Sequence, residues 1–469
     1  MMESKINTLR HHLLSGRSSC FDIVQEKLSL LRANACNSSN LLLEESALNM
    51  AKKVDEKIKS GSPLGALEGI PFGIKDVILL QNSITTGSSV FLKQYNSPYT
   101  ATAIQKLIDC GAIPIVKENC DCFGHGSTSE NTAFGSVKNA HDENRVAGGS
   151  SGGSAVNVAK GYTAFSIGGD SGGSIRQPAG YNKVYGLKPT YGKVSRYGIM
   201  AYASSTDCVG PLASSLEDIR ILINIMSGKD QKDQTTYSSS MISENVFSSD
   251  YVDKEIVVGY YKSFMNNEYL NAGIKSDFQK MLDTLSAKGL KVIPLDFFDV
   301  NVLVSVFYVL SMAETASNLA RLDGSVYGAR TNSLSIRDGY MKTRSENFTK
   351  ETKRRIIGGN QVLSRGYDEE IYLKAMILRN SIENSFSSDF KNVDVILSPV
   401  STDLPPVIGN NMDNPHDMYL SDAYTVGFSL GGLPTLTVPY FTQTGIQITS
   451  NKNNEDIILY FANFLNKSL

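Results

Sequence analysis

GGSSGGSAVNVAKGYTAFSIGGDSGGSIRQP, residues 148–178, is the stretch on which the fold and chemistry turn. From Gly148 to Ser174 it carries nine glycines and six serines in 27 residues, in a chain with 39 glycines among 469. A flexible tether has such a composition, but it would not enclose Ala155, Val156, Val158, Ala159, Phe165 and Ile167, which call for a core. A phosphate-cradling loop has little support. No G-x-x-x-x-G-K-[ST] pattern occurs here, and GGSSGG offers no lysine to reach a phosphate. The serines themselves are left as the candidates for chemistry.

GDSGG at Gly169–Gly173 matches the nucleophile loop of chymotrypsin-like serine proteases and would make Ser171 the nucleophile. That mechanism needs a histidine base held by a buried aspartate. None of the five histidines (His11, His12, His125, His141, His416) stands in the Ala-Ala-His-Cys context of that family, and Ser174 occupies the expected proline position. The match is therefore one of chance.

Working outward, 45 basic and 47 acidic side chains give a formal charge of −2, which excludes a nucleic-acid binder held by phosphate neutralisation alone. With 41% hydrophobic and 20% charged residues, the composition is that of an ordinary globular protein. The longest apolar run, Val302–Ala313, is short for a bilayer and is followed by Glu314, so no membrane span is expected. Glu3, Lys5, Arg10, His11 and His12 leave no room for a secretory signal, so a cytoplasmic location is expected. Cys20, Cys36, Cys110, Cys120, Cys122 and Cys208 are too sparse for a disulfide scaffold. Cys120, Cys122 and His125 lie close together, yet the spacing is narrow for zinc and no fourth ligand is near, so no metal site is expected.

Local patterns predict an α/β core. Ile104, Leu107 and Ile108 fall on one face of a helix over Thr102–Asp109, Gly111 ends it, and Ile113–Val116 follows as a strand. The same grammar recurs downstream: a strand over Glu255–Tyr260, a helix carrying Ile274, Phe278, Met281, Leu282 and Leu285, then Gly289 and the run Leu290–Ile293. Ser215 followed by Asp218 is a capping box for a helix through Met226, closed by Gly228. The first 60 residues read as helical and Gly61–Gly65 as punctuation. Residues 229–250, polar and serine-rich, read as a surface loop. No internal repeat is present.

The run 148–178 closely resembles the amidase signature family, and GIPFGIKDV at Gly69–Val77 is similar to that family's lysine motif. The two motifs stand in the family order, Lys75 lying 99 residues and Ser150 24 residues before Ser174. Tyr185–Pro211, Arg344–Ile356 and Met418–Pro439 are further similar to one branch of the family, the A subunits of glutamyl-tRNA(Gln) amidotransferases. This similarity runs over about residues 5–450. It implies a single α/β domain over 1–469 with the amidase signature fold, a mixed central β-sheet flanked by helices: a helical segment at 1–60, the catalytic core at 61–228, the loop at 229–250 and the rest of the fold at 251–469.

The resemblance implies Ser174 as nucleophile, Lys75 as base and Ser150, after a non-proline cis peptide at Gly149, as proton relay. An amide is a poor electrophile and serine a weak nucleophile, so the lysine must be buried enough to lose its proton. Backbone amides of Ser171, Gly172, Gly173 and Ser174 are implied as the oxyanion hole, where losing one donor typically costs about 100-fold or more in rate. Arg355 and Asp422 are implied as partners for the α-carboxylate and α-ammonium of glutamine. Ammonia would pass to partner subunits B and C, whose ATP and Mg²⁺ serve Glu-tRNA(Gln). This chain itself is expected to need no cofactor.

Several residues depart from the family pattern: Cys122 and His125 where an acidic residue and usually methionine are expected, Ser171 for threonine, Asn182-Lys183 for Cys-Gly, and Phe307 before Tyr308 where two tyrosines are expected. Two competing readings follow. A stand-alone amidase would have an apolar acyl pocket with Arg355 and Asp422 turned away. A weakly active scaffold would chiefly stabilise its partner.

Overall fold

The strand Pro71–Lys75 (PFGIK) is buried along its whole length, as a strand covered by helices on both faces must be. In the computed structural model, which describes residues 3–248, 251–252, 255–366, 368–410, 415–439 and 444–468, it belongs to a single sheet of eleven strands. These are β1 (Ser39–Leu42), β2 (Pro71–Lys75), β3 (Ile113–Glu118), β4 (Phe165–Asp170), β5 (Tyr185–Lys188), β6 (Cys208–Ala213), β7 (Val257–Tyr261), β8 (Lys291–Leu295), β9 (Val395–Pro399), β10 (Thr435–Val438) and β11 (Ile446–Ser450). Their order is β1-β3-β2-β4-β6-β5-β10-β11-β9-β7-β8. Two parallel groups, β3-β2-β4 and β9-β7-β8, are joined by an antiparallel run through β6, β5, β10 and β11. The sheet is mixed.

The helix Thr102–Asp109 precedes β3, the Ser215 hydroxyl caps the helix Leu216–Met226 by accepting from Asp218 N, and the helix Ala272–Ala287 joins β7 to β8. Three differences from the sequence reading have physical reasons. The N-terminal segment is not wholly helical, because Ser39–Leu42 adds to the edge of the sheet beside β3. Within the described part of 229–250, Ile242 and Val246 drop into the main core, so the segment is stapled down rather than a free excursion. The apolar run also lies in a longer element: Val300–Arg321, 22 residues with mean hydropathy 1.4, is by length and composition able to cross a membrane. Here 56% of its most apolar window is buried within the fold, and its first 19 residues pack against the helices Lys350–Val362 and Leu373–Asp389.

At the C-terminal ends of β2 and β4 the glycine-serine run forms a bend, with the buried helix Gly152–Ala159 packed against both strands. The bend is held by a fully buried ion pair. Asp170, the last residue of β4, takes Arg176 Nε at 3.0 Å and Nη2 at 2.9 Å, and also accepts from the backbone amides of Gly173, Ile175 and Arg176. Burial alone would raise the Asp170 carboxyl, but the Arg176 charge and hydrogen bonds overcome that and hold it below the usual range. Arg176 in turn reaches Thr425 O and Ser429 Oγ, both at 2.8 Å. Removing one partner leaves a buried charge, so Arg176→Met should lower stability by about 3–5 kcal/mol in urea unfolding, and Asp170→Asn combined with it should recover part of that loss.

Candidate active site

Lys75 ends β2 and is 2% exposed. Its Nζ lies 2.7 Å from Ser150 Oγ and donates to Gly169 O at 3.2 Å. Burial depresses its pKa from the ordinary value of 10.5, working against the carboxylates of Asp121, Asp170 and Asp207 and the Cys120 sulfur. In the neutral form the lone pair can take the Ser150 proton while an N–H keeps its bond to Gly169. The Gly149–Ser150 peptide is cis. Gly149 cannot be replaced, because an added Cβ would fall 2.1 Å from Asp121 Oδ2.

Ser174 is half-buried and tied to the relay segment through Ser151 N, which donates to Ser174 O at 3.0 Å. Its Oγ makes no hydrogen bond among the described residues. The lysine and the first serine are thus bonded to one another.

Of the implied oxyanion donors, the Gly173 amide is already committed to Asp170 Oδ1 at 2.9 Å. Gly173 has φ +148, and a side chain there would strike Thr425. Its part is to let the loop turn.

On the other side of the site, Arg355 is 2% exposed amid three tyrosine rings, with Tyr308 at 5.2 Å and Tyr202 and Tyr419 at 5.6 Å. Nε donates to Glu351 Oε1 and Nη1 to Tyr202 OH, both at 2.7 Å, while Nη2 has no partner among the described residues. An arm left free on a buried guanidinium has the donor chemistry to bond a carboxylate. Asp422 accepts from Ser127 Oγ and Tyr308 OH, each at 2.7 Å, and burial pushes its carboxyl up to about 6. The two opposite charges share Tyr308 as a wall.

The departures from the family pattern have local explanations. Ser171 keeps a hydroxyl bond, 2.5 Å to Asp207 Oδ1. Asn182 bonds Ala140 N, Ala147 O and Pro178 O, and so knits the loop before the relay serine to the helix Arg176–Tyr181. The Phe307 ring covers Gly172, where an added Cβ would come within 2.5 Å of Phe307 Cζ, and Tyr308 supplies the hydroxyl to Asp422. Cys120, Cys122 and His125 do not converge on one point. Cys120 Sγ meets Ser88, Cys122 is a buried thiol pushed up to about 11, and both His125 nitrogens have partners. No sequence signal marks Ser127, Tyr202 or Glu351, whose roles depend on contacts between distant segments.

The arrangement suits attack by Ser174 on an acyl carbon whose other end carries opposite charges. A lysine base works only when neutral, so sulfonylation of Ser174 by a small sulfonyl fluoride should speed up as pH rises towards the depressed Lys75 pKa and level off above it. Lys75→Met should slow labelling about 10²- to 10⁴-fold, read by mass spectrometry.

Residues 23–459 match the amidase family. The A subunit of the glutamyl-tRNA(Gln) amidotransferase of Pelodictyon phaeoclathratiforme is 36% identical over 100% of both chains, and that of Lachnospira eligens 43% identical over 84% of this chain and 82% of its own. Among solved structures, the A subunit of the Thermotoga maritima enzyme superposes with a TM-score of 0.77 at 30% identity, covering 95% of this chain and 90% of its own.

Proposed function

The chain belongs to the amidase family, and we propose from that premise that it is the glutaminase subunit of a glutamyl-tRNA(Gln) amidotransferase. The observation that carries the substrate assignment is the unused Nη2 of buried Arg355 beside Asp422. Glutamine bears a carboxylate for the first and an ammonium for the second, with its side-chain amide left to reach Ser174. An amidase for apolar amides would gain nothing from so much buried charge.

Ser174 attacks the amide carbon as its proton passes through Ser150 to Lys75. The Ser171, Gly172 and Ser174 amides meet the developing oxyanion, and the protonated relay then delivers the proton to the leaving ammonia. Water hydrolyses the acyl-enzyme to glutamate by the same relay. Beside Lys75 lies a cavity of about 30 Å³, about one water in size. Its walls Phe123, Ile199 and Met200 also line a neighbouring groove of about 280 Å³, the route proposed for ammonia. Partner subunits B and C would receive the ammonia, with ATP and Mg²⁺ acting on Glu-tRNA(Gln) in the partner. Cytoplasmic location belongs to the same proposal.

The direct test is ammonia release from glutamine by the chain alone, by the co-purified complex, and by the complex with Glu-tRNA(Gln). Ser174→Ala should abolish glutamine-dependent transamidation but preserve transamidation with added ammonium. Loss of both in a folded complex would contradict the division of labour. Asp422 also predicts an acid limb. Its raised pKa means that the anion is lost below about 6, so kcat/KM for glutamine should fall towards tenfold per pH unit there. Glutaramate, which lacks the ammonium, should lack this Asp422-dependent part and keep only the slope that protonation of Lys75 imposes on both substrates.

A further inference from the structure

The three-residue helical turn Cys122–Gly124 is followed by His125, a residue that the chemistry above leaves unused. Its imidazole is fully buried and fixed at both ends. Nδ1 lies 3.2 Å from the Cys122 carbonyl, which can only accept, so that nitrogen carries the proton. Nε2 then accepts from Thr315 Oγ1 at 3.1 Å. Asn131 Nδ2 holds the His125 carbonyl at 2.5 Å. Burial, and then the nearby Arg355 charge, push the imidazole down to about 3, so it is a neutral wall.

That wall stands against one ring. His125 meets Tyr202 with centroids 4.6 Å apart and planes at 73°, a near-perpendicular aromatic contact. Thr315, the partner of Nε2, also lies 3.4 Å from the Tyr202 carbonyl. The Tyr202 hydroxyl in turn accepts from Arg355 Nη1, which fixes the direction in which Nη2 opens.

We infer that His125 is a positioning residue for substrate carboxylate recognition, bracing Tyr202 so that Arg355 presents its unpaired Nη2 to the ligand. This inference rests on the glutaminase reading and assigns His125 no contact with the reacting atoms. The bracing loop serves both ends of the ligand: His125 stands behind the guanidinium, and Ser127, two residues on, holds Asp422. A ring of the right width is needed at 125, because Tyr202 otherwise has room to tilt and Nη1 loses its acceptor.

The test compares glutamine with 4-aminobutyramide, which keeps the amide and the amine but lacks the α-carboxylate, in the co-purified complex. His125→Leu should raise KM for glutamine roughly tenfold with little change in kcat, and leave kcat/KM for 4-aminobutyramide within about twofold. In an Arg355→Met background the same substitution should add nothing to the glutamine defect. Should His125→Leu fail to fold, Tyr202→Phe tests the same link by removing only the hydroxyl and should show the same split. An equal loss for both amides, or full additivity with Arg355→Met, would overturn the positioning role. A wild-type complex that does not favour glutamine over 4-aminobutyramide would instead overturn the glutaminase reading, and this inference with it.

Discussion

The buried pair between Asp170 and Arg176 is the constraint on which the site depends. Asp170 closes β4, and its two oxygens collect three backbone amides of the bend as well as the guanidinium. The bend therefore cannot relax without exposing a charge inside the protein. Because Arg176 also grips Thr425 and Ser429, the same pair docks the helix that follows Asp422 against the nucleophile loop. The glycine-serine bend and the segment carrying Asp422 are placed relative to one another by one electrostatic knot.

Around that knot the site separates two tasks. Burial lowers the pKa of Lys75, whereas Arg355, equally buried, keeps its charge among tyrosine faces and Glu351. A lysine loses its proton readily when desolvated and a guanidinium does not. The choice of cation at each position fits the roles proposed for them, one accepting a proton and the other holding an anion.

Much of this was legible in the chain. Glycine after an amphipathic run marked the helix before β3, Ser215 and Asp218 marked a helix start, and the motifs around Lys75 and the glycine-serine run carried the resemblance to the amidase family. What escaped was long-range or weak in pattern. β1 is a four-residue edge strand whose residues are all half-buried, so it has no alternation to read. Ile242 and Val246 belong to two short apolar pairs, Met241-Ile242 and Val246-Phe247, in a polar run, and only packing reveals which of them anchor it. The commitment of the Gly173 amide to Asp170 depends on the shape of the bend, and glycine-rich text does not specify that shape. Tyr202 and Glu351 become significant only because Arg355 lies between them.

The position of β10 and β11 in the sheet has a consequence for biosynthesis. β5 and β9 reach each other only across these two strands, among the last segments of the chain to be made. Among the described residues, 425–447 also supply every hydrogen-bond partner of the Arg176 side chain outside its own bend. A polypeptide leaving the ribosome therefore carries the glycine-serine run for about 250 residues before the strands that brace it exist. The bend at 148–178 thus gains its outer support only once residues 425–447 have been added.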